Sequence, residues 1–262
     1  MSVATYLDGT ARSLLPGKEE KEFTAAQIVT LRSRLMAYFG GDVRDQLQFG
    51  SSTRETKLPG RVDSRADVDY MIVFDNTYGL GPHAFRDRLN RFAQRYYSLS
   101  EIWRSHPTVV LRLGDLMFDL VPARRGAFDT LSIPAPASSF TEWIETDPIA
   151  FNATFAQVNR NERYHIRPLI RLLKYWNARV EYPYDSYFLE EWIVARWFSG
   201  VSTLKGYFYD AVASLPVERN ARRLKVGKIQ RAKDLAASAR TLEEKEMLTA
   251  AEAEIRNLLP PL

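Results

Sequence analysis

The sequence predicts a two-lobe α/β protein, in which a small mixed sheet with flanking helices precedes a helical lobe. In the first half, short apolar or alternating runs are separated by turn residues, a pattern typical of strands. From about residue 132 the composition changes, and the later apolar residues recur with the period of a helix. We therefore predict domains at 1–131 and 132–262. The residues that mark the expected linker are Pro134, Pro136, Ser138 and Ser139.

Composition excludes several classes of protein. No apolar run is long enough to cross a bilayer, and no basic and apolar leader follows Met1, so we expect a cytoplasmic protein without a membrane partner. The absence of cysteine excludes disulfides, thiolate metal sites and a cysteine nucleophile. The three histidines, His83, His106 and His165, are too scattered for a zinc site of the usual spacing.

The first predicted elements lead to a glycine-serine pair. A helix is expected over 24–39, because its apolar residues share one face and a capping box precedes them. An alternating run that ends at Phe49 predicts a short strand. Gly50 and Ser51 follow directly, so flexible backbone lies where this strand ends and opens a turn or a helix to about Lys57.

The next strand begins with two carboxylates. Asp67 and Asp69 lie two residues apart at the head of an apolar run that predicts a strand over 67–74. Alternate residues of a strand face the same side, so both side chains project together. Their repulsion would be relieved by a divalent cation. An acidic strand entry with its charges in water is the alternative.

A third carboxylate lies inside a later strand. Runs at 109–113 and 116–121 flank Gly114-Asp115, a good hairpin turn. Asp119 lies between apolar neighbours in the second run. A buried unpaired carboxylate is costly, so Asp119 requires a metal, a base or a salt bridge to an arginine.

The remaining helices are read from their apolar period. Arg167, Arg171 and Lys174 share one side of a predicted helix, and Ser186 is the expected cap of the next. Helices are predicted at 83–97, 167–180, 187–198 and 241–258, the last opened by a capping box at Thr241.

A basic run follows these helices. Seven cations occur there without an acidic residue between them, which suits a phosphate-bearing partner or a solvated helix face. They are Arg219, Arg222, Arg223, Lys225, Lys228, Arg231 and Lys233.

The order of these motifs resembles the DNA polymerase β-like nucleotidyltransferase superfamily. A Gly-Ser pair, an Asp-x-Asp on a strand and a third acidic residue on a later strand form its signature. Three phrases narrow the resemblance to the bacterial cGAS/DncV-like nucleotidyltransferases, or CD-NTases, of the SMODS type. They are Phe-Asp-Leu-Val-Pro at 118–122, Leu-Leu-Lys-Tyr-Trp-Asn at 172–177 and Asp-Ser-Tyr-Phe-Leu-Glu at 185–190. The resemblance covers about 24–198 and implies a polymerase β-like fold.

The resemblance also implies a role for each site residue. The first lobe would be catalytic, and the helical lobe would complete a nucleotide-binding cleft. Gly50 and Ser51 would bind the triphosphate, and Asp67, Asp69 and Asp119 would hold two magnesium ions, with manganese possible. Lys174 and Ser186 would bind the phosphates of the donor nucleotide. Tyr187 would stack on the donor base. Departures from the family pattern are Glu55-Thr56 where Gly-Thr is common, Ala66 in place of serine, and a longer loop at 58–65.

The implied reaction is attack of a ribose hydroxyl on the α-phosphate of a nucleoside triphosphate, with release of pyrophosphate. Asp119 is the expected acceptor of the hydroxyl proton. The expected product is a cyclic di- or trinucleotide, or a short oligonucleotide, as second messenger in anti-phage (CBASS-type) defence. Nucleotide transfer to an RNA 3′ end or a small molecule, and a non-catalytic nucleotide- or RNA-binding module, are the alternatives. A regulatory protein or RNA could bind the basic run.

Overall fold

The computed structural model describes residues 2–76, 79–105, 108–126, 130–135 and 141–262. The chain forms two compact units. The sheet unit is Pro16–Ala153, and the helical unit combines Met1–Leu15 with Thr154–Leu262. Among the helices of the described ranges, none has both the length and the apolar character needed to span a membrane.

The sheet unit contains a mixed sheet, as predicted. Within the described residues the order is β1-β2-β5-β4-β3, with β6 paired to β5 and β7 paired to β6. β2 and β5 are parallel, and the other pairs are antiparallel. The strands are β1 (Val43–Phe49), β2 (Asp67–Phe74), β3 (Glu101–Ser105), β4 (Thr108–Leu113), β5 (Leu116–Arg125), β6 (Leu131–Pro134) and β7 (Trp143–Thr146).

Helices α2 (Lys18–Phe39) and α3 (Pro82–Tyr96) cover one face of this sheet. The alternate residues Val68, Tyr70, Ile72 and Phe74 of β2 are buried in the same cluster as apolar residues of both helices. α2 begins six residues before the predicted start. Glycine at its N-cap position precedes two glutamates in the first turn, and their charges favour a helix N-terminus.

The predicted boundary at 131/132 differs from the division in the structure. β6 and β7 extend the sheet beyond it, and the division falls between Ala153 and Thr154, inside α4 (Pro148–Asn161). Pro134 is the last residue of β6 and not part of a linker. It lies beyond the residues of β6 that pair with β5, so its missing N–H interrupts no bond of that pairing. The other expected linker residues, Pro136, Ser138 and Ser139, lie outside the described residues.

The helical unit begins with α1 (Val3–Ser13), a helix that was not predicted from the sequence. The Tyr6 hydroxyl donates to the carbonyl of Leu259 (2.6 Å), and Nε of Arg171 donates to the carbonyl of Ala11 (3.1 Å). These bonds tie α1 to distant parts of the chain. The remaining helices are α5 (Ile166–Arg179), α6 (Ser186–Val194), α7 (Leu204–Ala213), α8 (Arg223–Glu244) and α9 (Leu248–Leu258).

The predicted helix at 241–258 is interrupted in the structure. Thr241 lies in the last turn of α8 rather than at a cap, and α9 begins at Leu248. Between them the amide of Met247 donates to the carbonyl of Leu242 (2.9 Å), and Glu246 has a φ of 60°. Helices commonly end in this way, with a left-handed residue followed by an amide that bonds to a carbonyl five residues earlier.

Candidate active site

Two neighbouring strands bring the three predicted carboxylates together. β2 and β5 are paired in parallel, and their register places Asp69 directly beside Asp119. Asp67 precedes Asp69 by two residues and therefore projects from the same face of β2. One carboxylate oxygen from each residue lies within 4.8 Å of the others, so the three form an aspartate triad.

The triad is electrostatically strained. Burial, and then the charge of Asp67, raise the pKa of Asp119 to about 7, and a hydrogen bond with Thr108 opposes the increase. None of these three influences on the pKa comes from a positively charged group. This argues against the predicted alternative of an Asp–Arg salt bridge at Asp119. Clustered carboxylate oxygens are the ligands that magnesium prefers, and a divalent cation would relieve their repulsion. The triad therefore fits the expected metal.

Gly50 lies directly against this triad. Its φ is 74°, and a Cβ atom built on it would lie only 1.7 Å from Oδ2 of Asp69. No side chain fits there, because that distance is far shorter than a van der Waals contact. The absence of a side chain at Gly50 thus lets the carboxylate of Asp69 approach the backbone before Ser51.

The segment after β1 is a short turn and not the longer helix that the sequence allowed. Gly50–Ser52 forms a single 3₁₀ turn, which we call the Gly-Ser turn. The carbonyl of Ser51 accepts hydrogen bonds from the amides of Thr56 (3.0 Å) and Lys57 (3.1 Å). Glu55 has a φ of 59°, in the left-handed region that favours glycine. The departure from Gly-Thr to Glu55-Thr56 therefore places a side chain on a backbone shape suited to glycine.

Several polar residues around this turn are buried, although the sequence predicts a polar loop there. Arg54 and Lys57 are almost fully buried, and Nζ of Lys57 lies 3.2 Å from a carboxylate oxygen of Glu20 on α2. Asp63 is also buried, and its Oδ1 accepts from the amide of Arg65 (2.9 Å). Polar residues beside Pro and Gly are typical of a solvated loop, so no sequence signal distinguished these as buried.

Lys174 lies in the helical unit and is buried, contrary to the predicted polar face of α5. Its Nζ donates to Oε1 of Glu190 on α6 at 3.0 Å. Only 6% of the Lys174 side chain and 1% of the Glu190 side chain are exposed. Arg171, predicted on the same face, is buried as well and bonds to α1. The face is covered because both α1 and α6 pack against α5.

Ser186 and Tyr187 begin α6, although the helix cap is another residue. Asp185 is the N-cap, and its Oδ1 accepts from the amides of Tyr187 (2.9 Å) and Phe188 (3.0 Å). Ser186 is therefore the first helical residue and not the predicted cap. Tyr187 is about half exposed, at 48%, which leaves its ring accessible. Gly50, Ser51 and the triad thus lie together in the sheet unit. Lys174, Ser186 and Tyr187 lie on α5 and α6 of the helical unit.

The basic run spans the start of α8, and two of its lysines are paired. Lys225 lies 2.9 Å from Glu218, and Lys228 lies 2.8 Å from Glu181. Nζ of Lys225 also lies 5.2 Å from the centre of the Tyr184 ring. Part of the run's charge is therefore already balanced by carboxylates distant in sequence or just before it.

Comparison with known proteins agrees with this geometry. The profile of the Second Messenger Oligonucleotide or Dinucleotide Synthetase (SMODS) domain matches residues 1–159. A cyclic AMP-AMP-AMP synthase from an Acinetobacter strain is 25% identical over 126 residues, which are 48% of this chain and 36% of that relative. The match thus spans little more than a third of that relative's length.

Two solved structures share the fold over almost the whole chain. CdnC from Escherichia coli MS115-1, solved with ATP, has a TM-score of 0.74 and 13% identity, with coverage of 100% of this chain and 98% of that one. The CD-NTase CdnG from Bradyrhizobium diazoefficiens, solved with GTP, has a TM-score of 0.68 and 14% identity, with 98% of each chain covered. The predicted resemblance and fold are confirmed, and the chain belongs to the SMODS family, with the polymerase β-like nucleotidyltransferase fold of the CD-NTases.

Proposed function

We propose that this protein is a metal-dependent nucleotidyltransferase that joins nucleoside triphosphates and releases pyrophosphate. The observation that carries the proposal is the aspartate triad on β2 and β5, with the Gly-Ser turn packed against Asp69. In this reaction a ribose hydroxyl attacks the α-phosphate of a nucleoside triphosphate. The new bond joins that oxygen to phosphorus, and the bond between phosphorus and the pyrophosphate oxygen breaks.

Asp67, Asp69 and Asp119 are the proposed ligands of two magnesium ions, with manganese as a possible substitute. Bound magnesium would supply charge neutralisation, both for the attacking oxygen and for the pyrophosphate leaving group. Asp119 is the proposed acceptor of the hydroxyl proton. Its raised pKa, about 7, supports this assignment because a base works best when its pKa is near the operating pH.

The Gly-Ser turn is the proposed site for the triphosphate. A backbone without a side chain at Gly50 allows close approach, and the amide and hydroxyl of Ser51 are donors suited to phosphate oxygens. We further propose that Lys174 and Ser186 hold the donor's phosphates and that Tyr187 stacks on its base. The half-exposed ring of Tyr187, and the position of Ser186 in the first turn of α6, support these roles.

The proposed product is a cyclic di- or trinucleotide, or a short oligonucleotide, that serves as a second messenger in anti-phage defence of the CBASS type. The name of the Acinetobacter relative, and the ATP and GTP bound in the two structural neighbours, make both purine triphosphates the first substrates to test. A regulatory protein or RNA that binds the basic run is a further proposed partner.

Incubation with each labelled triphosphate and magnesium, followed by phosphatase, tests this function. A phosphatase-resistant product that requires the metal is expected, because a cyclic product has no terminal phosphate. Asp67→Asn combined with Asp69→Asn should abolish incorporation without lowering the thermal midpoint, since the change removes metal ligands and also relieves the repulsion between the carboxylates. Incorporation by that double variant within about tenfold of the wild type, a difference of roughly 1.4 kcal/mol in the barrier, would refute the metal assignment.

A further inference from the structure

The Gly-Ser turn has a backbone that needs support from outside. Gly50, which opens the turn, and Glu55, which follows it, both have positive φ, and the backbone bonds to the Ser51 carbonyl close the loop between them. A short loop with two left-handed residues keeps one conformation only where surrounding contacts determine it. Phe151 and Asn152, near the start of α4, supply such contacts.

Arg54 and Asn152 form the first part of this support. Arg54 is almost fully buried, its Nη1 donates to Oδ1 of Asn152 at 2.9 Å, and its guanidinium lies 4.9 Å from the centre of the Phe151 ring. A buried guanidinium is costly to leave without an acceptor, so this contact fixes the orientation of the Asn152 side chain.

The other half of the Asn152 amide points toward the turn. Its Nδ2 donates to the hydroxyl oxygen of Thr53 (3.2 Å), and that hydroxyl donates to the carbonyl of Gly50 (2.9 Å). The amide of Thr53 donates to the same carbonyl at 3.2 Å. A relay therefore runs from Arg54 through Asn152 and Thr53 to one backbone oxygen.

That oxygen belongs to the peptide group that contains the amide of Ser51. A trans peptide is planar, and its C=O and N–H point in opposite directions. Fixing the Gly50 carbonyl thus fixes the direction of the Ser51 N–H, a donor that the proposed function assigns to phosphate. We infer that Asn152 is a positioning residue that aims this amide at the triphosphate, with Arg54 and Thr53 as its two anchors.

This inference rests on the proposed function and predicts a loss confined to triphosphate binding. The probes are the α,β-methylene analogues of ATP and GTP with magnesium, and Mn²⁺ alone. Asn152→Ala and Thr53→Val should each weaken analogue binding about fivefold to tenfold, as expected for one lost hydrogen bond, whereas Mn²⁺ binding stays at the wild-type level. Thr53→Ser keeps the hydroxyl and should bind the analogue like the wild type.

Two further readouts and a control variant test the positioning role. Amide hydrogen exchange over 50–57 should become faster in Asn152→Ala and in Thr53→Val, but not in Thr53→Ser. The double variant Asn152→Ala with Thr53→Val should bind the analogue as tightly as the single variant with the lower affinity, because both changes break the same relay. Gln157→Ala is the matched control, since it removes exposed hydrogen bonds from the same helix and should change none of these quantities.

Each outcome has one meaning. If the wild type binds an analogue and Asn152→Ala binds it equally well, the inference is wrong and the proposed function stands. If the wild type binds neither analogue and incorporates no triphosphate, the proposed function fails and the inference falls with it. If Asn152→Ala does not fold, the comparison of Thr53→Val with Thr53→Ser decides, and equal affinity of these two variants overturns the inference.

Discussion

Lys174 and Glu190 form a buried ion pair, with Nζ of one 3.0 Å from the carboxylate of the other. Removing one member of such a pair leaves a charge in a poorly solvated place and costs about 3–5 kcal/mol. Lys174 is therefore part of the packing between α5 and α6, and any role with phosphate comes in addition to this one.

The first prediction separates these two roles. Lys174→Ala should destabilise the protein by about 3–5 kcal/mol in urea unfolding, because the buried carboxylate of Glu190 loses the positive charge of Lys174. Lys174→Met combined with Glu190→Leu should recover most of this stability, since both charges are removed, but should not recover triphosphate binding. A recovery of binding in the stable double variant would show that Lys174 acts only in packing.

The second prediction concerns pH. The pKa of Asp119 rises from 3.8 to about 7 on folding, so between these values the folded protein binds more protons than the unfolded chain. Without divalent metal, the stability that the protonated Asp119 contributes is fully present below pH 3.8 and is lost as the pH rises to about 7. Asp119→Asn should flatten this slope in thermal melts. Asp115→Asn, an exposed change in the same hairpin, should keep it.

Magnesium offers a second check on the same group. Adding the ion at pH 8 should raise the thermal midpoint of the wild type, because bound metal stabilises the folded state and relieves the repulsion in the triad. The variant Asp119→Asn should gain less. Equal gains in both proteins would place the metal elsewhere.

The third prediction uses two residues with the same backbone strain. Glu55 and Glu246 have φ of 59° and 60°, a conformation that costs an L-residue roughly 1–2 kcal/mol. Glu55→Gly and Glu246→Gly should both stabilise the protein, by about 0.5–1 kcal/mol after the entropy cost of glycine. Only Glu55→Gly should also lower the Michaelis constant for the triphosphate, since it removes a negative charge beside the Gly-Ser turn. An equal kinetic change in Glu246→Gly would exclude that local explanation.

The fourth prediction tests the basic run. If the protein extended RNA, binding to a single strand would weaken with salt, with a log–log slope of about −0.7 for each contacted phosphate. Replacing Arg222, Arg223 and Lys225 with alanine should instead leave basal product formation intact, because Lys225 is already paired with Glu218. Reactions with and without a labelled RNA primer decide the matter, and products that carry the primer label would support RNA extension.

Much of the triad was predictable because short strands reveal their faces by alternation. The strand 67–74 has the predicted bounds, and the position of Asp119 between buried Phe118 and Leu120 follows from its sequence neighbours. The pairing of β2 with β5 was not readable from local pattern, since register between distant strands depends on the whole sheet. The resemblance supplied that link instead.

Most of the incorrect predictions concern features that depend on tertiary contacts and not on the local sequence pattern. A cationic stripe at Arg167, Arg171 and Lys174 is typical of a solvated face. In the structure Arg171 bonds to Ala11 of α1, 160 residues away, and Lys174 pairs with Glu190 of the next helix. The strands β6 and β7 are four residues each, too short for a periodic signal, and one ends in proline. Asn152 lies near the start of a helix whose sequence does not indicate a link to the Gly-Ser turn.

The placement of α1 has a consequence for folding during synthesis. The sheet unit is one continuous stretch and can begin to fold once residue 153 has left the ribosome. α1 precedes the sheet unit in the chain, but its partners Arg171 and Leu259 follow that unit and are made later. The apolar face of α1 therefore stays without these partners while the sheet unit is being made, so the helical unit is completed only after the sheet unit.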